Sequence, residues 1–342
     1  MKTIKQLGSL GLAMLTLSTI SACNISDKKK PIELIAHATE TTVPIKENIV
    51  QIALLLDTSN SMDGLLNQAK TQLWDIVNEF SLAQCGNETR PKLQIALYQY
   101  GNDNLSADEG YIQQVLGFSS DLDEISEKLF SLTTNGGEEY CGKVLQTSLH
   151  QLPWNKDPDL LRMIFIAGNE PFDQGRYNYR TALANANEKD VVVNTIFCGN
   201  YELGISSDWK NGAALTGGEY MAIDHNKEVM HITTPYDDII IKLNSKLNKT
   251  YISYGSMGKA KYMAQATQDE NALEMQEAVA VKRAVSKSSR LYNNKKWDLV
   301  DAYENEEFEI SSIQNEELPA ELQGKSEKEI KTFVDTKKIE RE

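Results

Sequence analysis

Residues Ile49-Val50-Gln51-Ile52-Ala53-Leu54-Leu55-Leu56 form an almost continuous apolar run. Such a run reads as a central parallel strand buried on both faces. Leu65, Leu66, Ala69, Leu73, Ile76, Val77 and Phe80 then recur at helical spacing. Lys92 to Tyr100 reads as a second strand, and Gly101-Asn102-Asp103-Asn104 as a turn. Tyr111 to Leu116 is expected to return antiparallel at the edge, and Asp121 to cap a short helix ending at Phe130. After Gly136-Gly137 a helix is expected over 140–152, a strand over 161–167, a helix over 178–187 and a strand over 191–197. A short far-edge strand (219–223) and a helix (236–247) close the unit. Strands separated by helices predict an α/β fold: a doubly wound, Rossmann-like, mostly parallel sheet spanning 48–248.

From Thr250 onward the pattern thins, and Gln, Asn, Glu and Lys rise. A helix-prone stretch follows Asp269, and Trp297, Leu299 and Val300 form a lone apolar knot. Glu304, Glu306, Glu307 and Glu309 make an acidic run, and Ser326-x-x-Glu329 is a capping box opening a final helix. Residues 249–342 therefore read as a helical, charged C-terminal extension, packed partly on the core and reaching partly into solvent.

The other end has a different character. Lys2 and Lys5 precede a largely apolar stretch, Leu7 to Ile20, too short to span a bilayer comfortably. It ends Ile20-Ser21-Ala22-Cys23, which resembles a bacterial lipobox. The resemblance implies a signal peptide over 1–22, cleavage before Cys23, diacylation of its sulfur and acylation of the new amine. Several acyl chains anchor stably where one would not. In a Gram-negative host, Asn24 at the following position favours the outer membrane, facing the periplasm. Residues 23–47, with Lys28-Lys29-Lys30, Pro31 and Pro44, read as a tether. The formal charge of -14 argues against nucleic acid as a partner.

Asp57, Ser59 and Ser61 stand at the carboxyl end of the first strand, where doubly wound sheets bind ligands. One carboxylate and two hydroxyls at alternate positions suit a hard cation such as Mg²⁺, which prefers oxygen ligands and keeps several waters. Taken alone, the trio also suits a helix cap. Enzymatic signatures are missing from the sequence. Gly258-Lys259 lacks a glycine five positions earlier, no H-E-x-x-H occurs, and no nucleophile stands in a recognisable frame. His150, His225 and His231 read as structural or exposed. The chain is expected to be a binder and not an enzyme.

The order of motifs resembles the von Willebrand factor type A (VWA) domain family. Asp57-x-Ser59-x-Ser61 is similar to the first segment of its metal-ion-dependent adhesion site (MIDAS). Ser61-Met62-Asp63-Gly64-Leu65, Asn135 to Gly142, Phe165 to Pro171 and, in the tail, Trp297 to Asp301 look like a bacterial lipoprotein branch. The resemblance implies a bound Mg²⁺ (or Mn²⁺ or Ca²⁺) and capture of a protein partner's carboxylate. The family's loop threonine usually follows the glycines. Here Thr133 and Thr134 precede them, which leaves Glu139, with Glu138 beside it, as the alternative ligand. Where the family carries a further aspartate, this chain has Asn169, followed by Glu170. Two readings stand: a tethered adhesion or scaffold module with a working metal site, or a structural envelope lipoprotein with a vestigial site that binds through its acidic tail.

Besides Cys23 the chain has Cys85, Cys141 and Cys198. In a doubly wound sheet helix starts and strand ends share one edge, which predicts that Cys141 and Cys198 lie close and are disulfide candidates, with Cys85 at the opposite end. Cys23→Ala is expected to release the protein from membranes or to leave it unprocessed. Labelled fatty acid on wild type and variant alike would contradict lipidation at Cys23.

Overall fold

The computed structural model describes residues 49–82, 91–223, 234–305 and 308–342. The expected signal segment (1–22), Cys23, Cys85, His225 and His231 lie outside these residues. The regular elements are β1 (Ile49–Asp57), α1 (Leu65–Leu82), β2 (Lys92–Tyr100), β3 (Ile112–Ser119), α2 (Leu122–Phe130), α3 (Cys141–Gln151), β4 (Leu161–Gly168), α4 (Tyr179–Glu188), β5 (Val192–Phe197), α5 (Tyr201–Ser206), α6 (Trp209–Ala214), β6 (Tyr220–Ala222), α7 (Asp237–Asn248), α8 (Gly258–Met275), α9 (Glu277–Lys287), α10 (Leu299–Tyr303) and α11 (Glu327–Arg341). Among these residues no helix is long and apolar enough to cross a membrane.

The six strands order as β3-β2-β1-β4-β5-β6. Only β3 runs antiparallel, along β2. It starts at Ile112, one residue after the expected Tyr111, because Tyr111 adopts φ 55 and leaves the extended region. The expected far-edge strand is β6, parallel to β5. Alternate β1 side chains feed two cores. Ile52, Leu54 and Leu56 pack with Trp74 and Val77 of α1 and Ile125 and Leu129 of α2. Ala53 and Leu55 face Val144 and Leu145 of α3 and Leu183 of α4. Helices α5 and α6 are unforeseen. Each is six residues long, too short for a legible period.

The change of composition at residue 250 is not a change of packing. Tyr251, Ala272, Val279, Tyr292 and Trp297 belong to the same core as α1 and α2. The predicted helix after Asp269 starts earlier, as α8, and breaks at Gln276, whose backbone is extended. The apolar knot divides. Trp297 joins the core on the α1 and α2 side of the sheet, whereas Leu299 and Val300 join Ile330 and Val334 in a third cluster. The capping box at Ser326 forms with both hydrogen bonds.

A buried polar network fastens this region to α2. Arg283 of α9 donates to Asp123 Oδ1 (2.7 Å) and to Asp269 Oδ1 (2.7 Å), and its guanidinium lies 5.2 Å from the Trp74 ring. Tyr292 donates to the other Asp123 oxygen, and Lys287 donates to Asp269 Oδ2 (2.7 Å). Burial raises the Asp269 pKa, but Arg283 and Lys287 outweigh it and hold the carboxyl at about 2. Burial presses Lys287 down to about 8 against the pull of Asp269. Stripping one partner from a buried ion pair leaves the other uncompensated. Arg283→Met is therefore expected to cost about 3–5 kcal/mol in urea unfolding. Lys282→Ala, which breaks the half-exposed pair with Asp75, should cost under about 1 kcal/mol. Equal losses would contradict the role assigned to the buried network.

Candidate metal centre

Asp57 ends the central strand, and its register partner Tyr100 ends β2. The next residues therefore leave the sheet side by side. The Thr58 amide donates to the Tyr100 carbonyl (2.8 Å), and the Asn135 amide donates to the Thr58 carbonyl (3.0 Å). Asn102, buried, donates from Nδ2 to the Thr133 carbonyl (2.9 Å) and the Thr58 carbonyl (3.3 Å). One amide side chain thus ties three loops together. The turn-forming sequence at Gly101-Asn102 was legible as a turn. Nothing in it marked Asn102 as the tie.

Around Asp57 the side chains form a chain of contacts. The Ser59 amide donates to Asp57 Oδ1 (2.8 Å). The Ser59 and Ser61 hydroxyls are 2.9 Å apart, and Ser61 donates to Asn169 Oδ1 (3.0 Å). Asn169 arrives just beyond the end of β4, which pairs with β1. Glu139, also buried, comes from the loop before α3 and accepts from Gln174 Nε2 (3.0 Å).

Two glycines make room for these groups. A Cβ on Gly101 would stand 2.7 Å from Glu139 Cγ and 2.9 Å from Asp57 Oδ1, and its φ of +75 already favours glycine. A Cβ on Gly168 would meet the Tyr100 hydroxyl at 2.5 Å and the Asp57 Cβ at 3.3 Å. The structure thus brings Asp57, Ser59, Ser61, Glu139 and Asn169 to one place. It turns the two loop threonines elsewhere. The Thr134 hydroxyl donates to Asp63 Oδ1, and exposed Thr133 presents its carbonyl to Asn102. His150 is exposed on α3.

The electrostatics follow from burial. Asp57 Oδ2 is buried with no hydrogen-bond partner. Burial, aided by the charges of Glu139 and Glu170, pushes the Asp57 pKa up to about 7 despite the Ser59 hydrogen bonds. Burial also raises Glu139, against the Gln174 hydrogen bond. Among the described residues no cluster of three or more His, Cys, Asp or Glu forms a metal cage. The donors here are instead carboxylate, hydroxyl and amide oxygens, the set that suits Mg²⁺, Mn²⁺ or Ca²⁺. An orphaned carboxylate oxygen in such a ring fits a divalent cation.

The disulfide expectation is corrected. Cys141 and Cys198 are both free and buried. They share an edge of the sheet but not a face: Cys141 packs with the α3 and α4 core, Cys198 with the α1 and α2 core. The Tyr100 hydroxyl lies 3.7 Å from the Cys141 sulfur and donates to the Ala167 carbonyl (2.9 Å). Burial pushes the Cys198 thiol up to about 12 and Cys141 higher still, so both stay neutral.

Residues 51–204 match the family model of the von Willebrand factor type A domain. This segment is a VWA domain. No curated protein matches the chain. Among solved structures, the proximal thread matrix protein 1 of the mussel byssus, with its MIDAS occupied by zinc, is 15% identical with a TM-score of 0.40, over 53% of this chain and 43% of that one. The chain thus spans less than half of that protein's length. The VWA (vWF) domain of the type V pili tip protein Mfa5 from Porphyromonas gingivalis is 12% identical with a TM-score of 0.38, over 53% of this chain and 91% of that one. The pilus adhesin SpaC from Lactobacillus rhamnosus GG is 13% identical with a TM-score of 0.39, over 53% of this chain and 28% of that one.

A buried carboxylate whose folded pKa exceeds its unfolded value favours folding only where it is protonated. Without metal, the VWA domain should therefore gain stability as pH falls from about 8 to about 5, by about 3 kcal/mol from Asp57. Asp57→Asn is expected to flatten that slope in urea unfolding at each pH. An unchanged slope would contradict the raised Asp57.

Proposed function

We propose that the chain is a membrane-anchored, metal-dependent protein-binding module, an adhesion or scaffold domain and not an enzyme. Asp57, Ser59, Ser61, Glu139 and Asn169 would hold a divalent cation, Mg²⁺ first. Such an ion supplies an open position for a carboxylate of the partner. The observation that carries the reading is Asp57 Oδ2, fully buried, without a hydrogen-bond partner, beside a file of hydroxyl and amide oxygens. Burying an unpaired carboxylate costs several kcal/mol, and a cation is the chemistry that offsets it. Asp57 would supply the charge. Ser59 and Ser61 would supply neutral oxygens already aligned by their mutual contact, and Gln174 would orient Glu139. Asn169 would give an oxygen without a charge, leaving the site less negative than one with a second aspartate.

The anchor in this reading is the lipidated Cys23, with residues 23–47 as tether and the domain facing the periplasm from the outer membrane. The lipobox-like Ser21-Ala22-Cys23 and Asn24 support it.

Titration calorimetry with Mg²⁺ and Mn²⁺ tests the centre. Wild type is expected to bind and Asp57→Ala to lose binding, whereas Asn169→Asp should tighten it about tenfold by adding a charge. Because Asp57 must ionise, affinity should fall roughly tenfold per unit as pH drops below about 7. An absence of binding heat in wild type near pH 8 would overturn the metal reading.

A further inference from the structure

Beside the centre lies a shelf that the metal reading does not use. Tyr140 directly follows Glu139, and its ring is 6.3 Å from that of Tyr111 and 5.6 Å from that of Tyr177. The three tyrosines come from three segments: the turn before β3, the start of α3 and the loop before α4. Lys143 Nζ stands 5.1 Å and the Arg176 guanidinium 5.2 Å from the centroid of the Tyr177 ring. Next to them opens a cleft of about 310 Å³ lined by Asp173, Arg176, Tyr177, Arg180 and Asp208.

The shelf is built at some cost. Tyr111 holds φ 55, a conformation rare for a bulky residue and associated with functional segments. Gly175, with φ +81, carries the Tyr140 ring so closely that a Cβ would stand 2.4 Å from it. The neighbouring Gln174 bonds Glu139, so one loop serves both the centre and the shelf.

Both signs of charge meet here, with Asp173 and Asp208 lining the cleft beside Arg176 and Arg180. Arg180 is held by Asp208 at 3.9 Å, and Glu138 accepts the Tyr140 hydroxyl. Among the described residues Lys143 and Arg176 make no carboxylate pair. Arg176 donates instead to the Tyr177 hydroxyl (3.1 Å). Two cations without a carboxylate within ion-pair distance, over an aromatic surface and beside a cation site, suit an acidic segment.

We propose that this shelf receives an acidic segment of a partner protein, a second carboxylate side chain resting on Lys143 and Arg176 while the first occupies the metal. The inference rests on the metal reading and extends it from a single carboxylate to a segment carrying at least two.

The test uses the full chain and labelled Gly-Ser peptides carrying one aspartate, or two at a series of separations, with affinity read by thermophoresis in Mg²⁺. At one or more separations the two-aspartate peptide is expected to bind about fivefold tighter than the single-aspartate peptide, as a partly exposed ion pair warrants. The double variant Lys143→Ser, Arg176→Ser should bring that ratio to about one and leave single-aspartate binding unchanged. Arg176→Glu, at an exposed position, should invert it. A wild-type ratio of one at every separation, or a ratio that survives the double variant, would overturn the shelf. Single-aspartate binding with chelator, or to Asp57→Ala, reads the metal site alone. If it is insensitive to both while the double variant still removes the two-aspartate preference, the metal reading fails and the shelf stands.

Discussion

The arrangement turns on one carboxylate with nowhere to put its charge. β1 is flanked by parallel strands on both sides, so its last residue is delivered into protein and not into water. Gly101 and Gly168 press their backbones against it, and only one of its oxygens is hydrogen-bonded. A carboxylate in that position has two outlets: it takes up a proton, or it meets a cation. The upward shift of Asp57 is the first outlet. The oxygen-rich surroundings from Ser59, Ser61 and Asn169 suit the second. The Asn102 tie and the Thr134–Asp63 contact hold the loops that keep the carboxylate enclosed.

The C-terminal helices reach the same place from behind. Helix α1 starts a few residues after Ser61, and α9 packs along it through the Lys282–Asp75 pair and the Ser286–Asn78 hydrogen bond. Arg283 joins α9 to α2, and the penultimate Arg341 reaches Asp298, Asp301 and Thr250 with its guanidinium 4.3 Å from the Tyr251 ring. These buried polar contacts explain how a segment poor in apolar residues can be an integral wall of the core. Partnered charges substitute for surface that the sequence does not supply as hydrocarbon.

That substitution also explains what could be read from the sequence. The strands and α1 to α4 declare themselves because hydrophobic period and burial coincide there. Asp57, Ser59, Ser61 and Asn169 are legible because they stand at, or just beyond, strand ends that the pattern marks. The loop path that sets Glu139 beside Gly101 and sends Thr134 to Asp63 is encoded by no local signal. Asn102 looks like any turn residue, and the shelf tyrosines are scattered over segments that meet only in the fold. The pairing of Cys141 with Cys198 failed because an edge of a sheet has two faces. Strand and helix ends locate a residue along the sheet but not through it. The boundary at residue 250 marks a shift in composition that buried ion pairs carry across.

Crystals grown or soaked with Mn²⁺ and measured at its absorption edge would test the metal centre most directly. The expected result is an anomalous peak in contact with Asp57, Ser59 and Ser61, lost in Asp57→Ala crystals treated alike. A map without a peak there, or with Mn²⁺ held only by acidic residues of the C-terminal region, would contradict it.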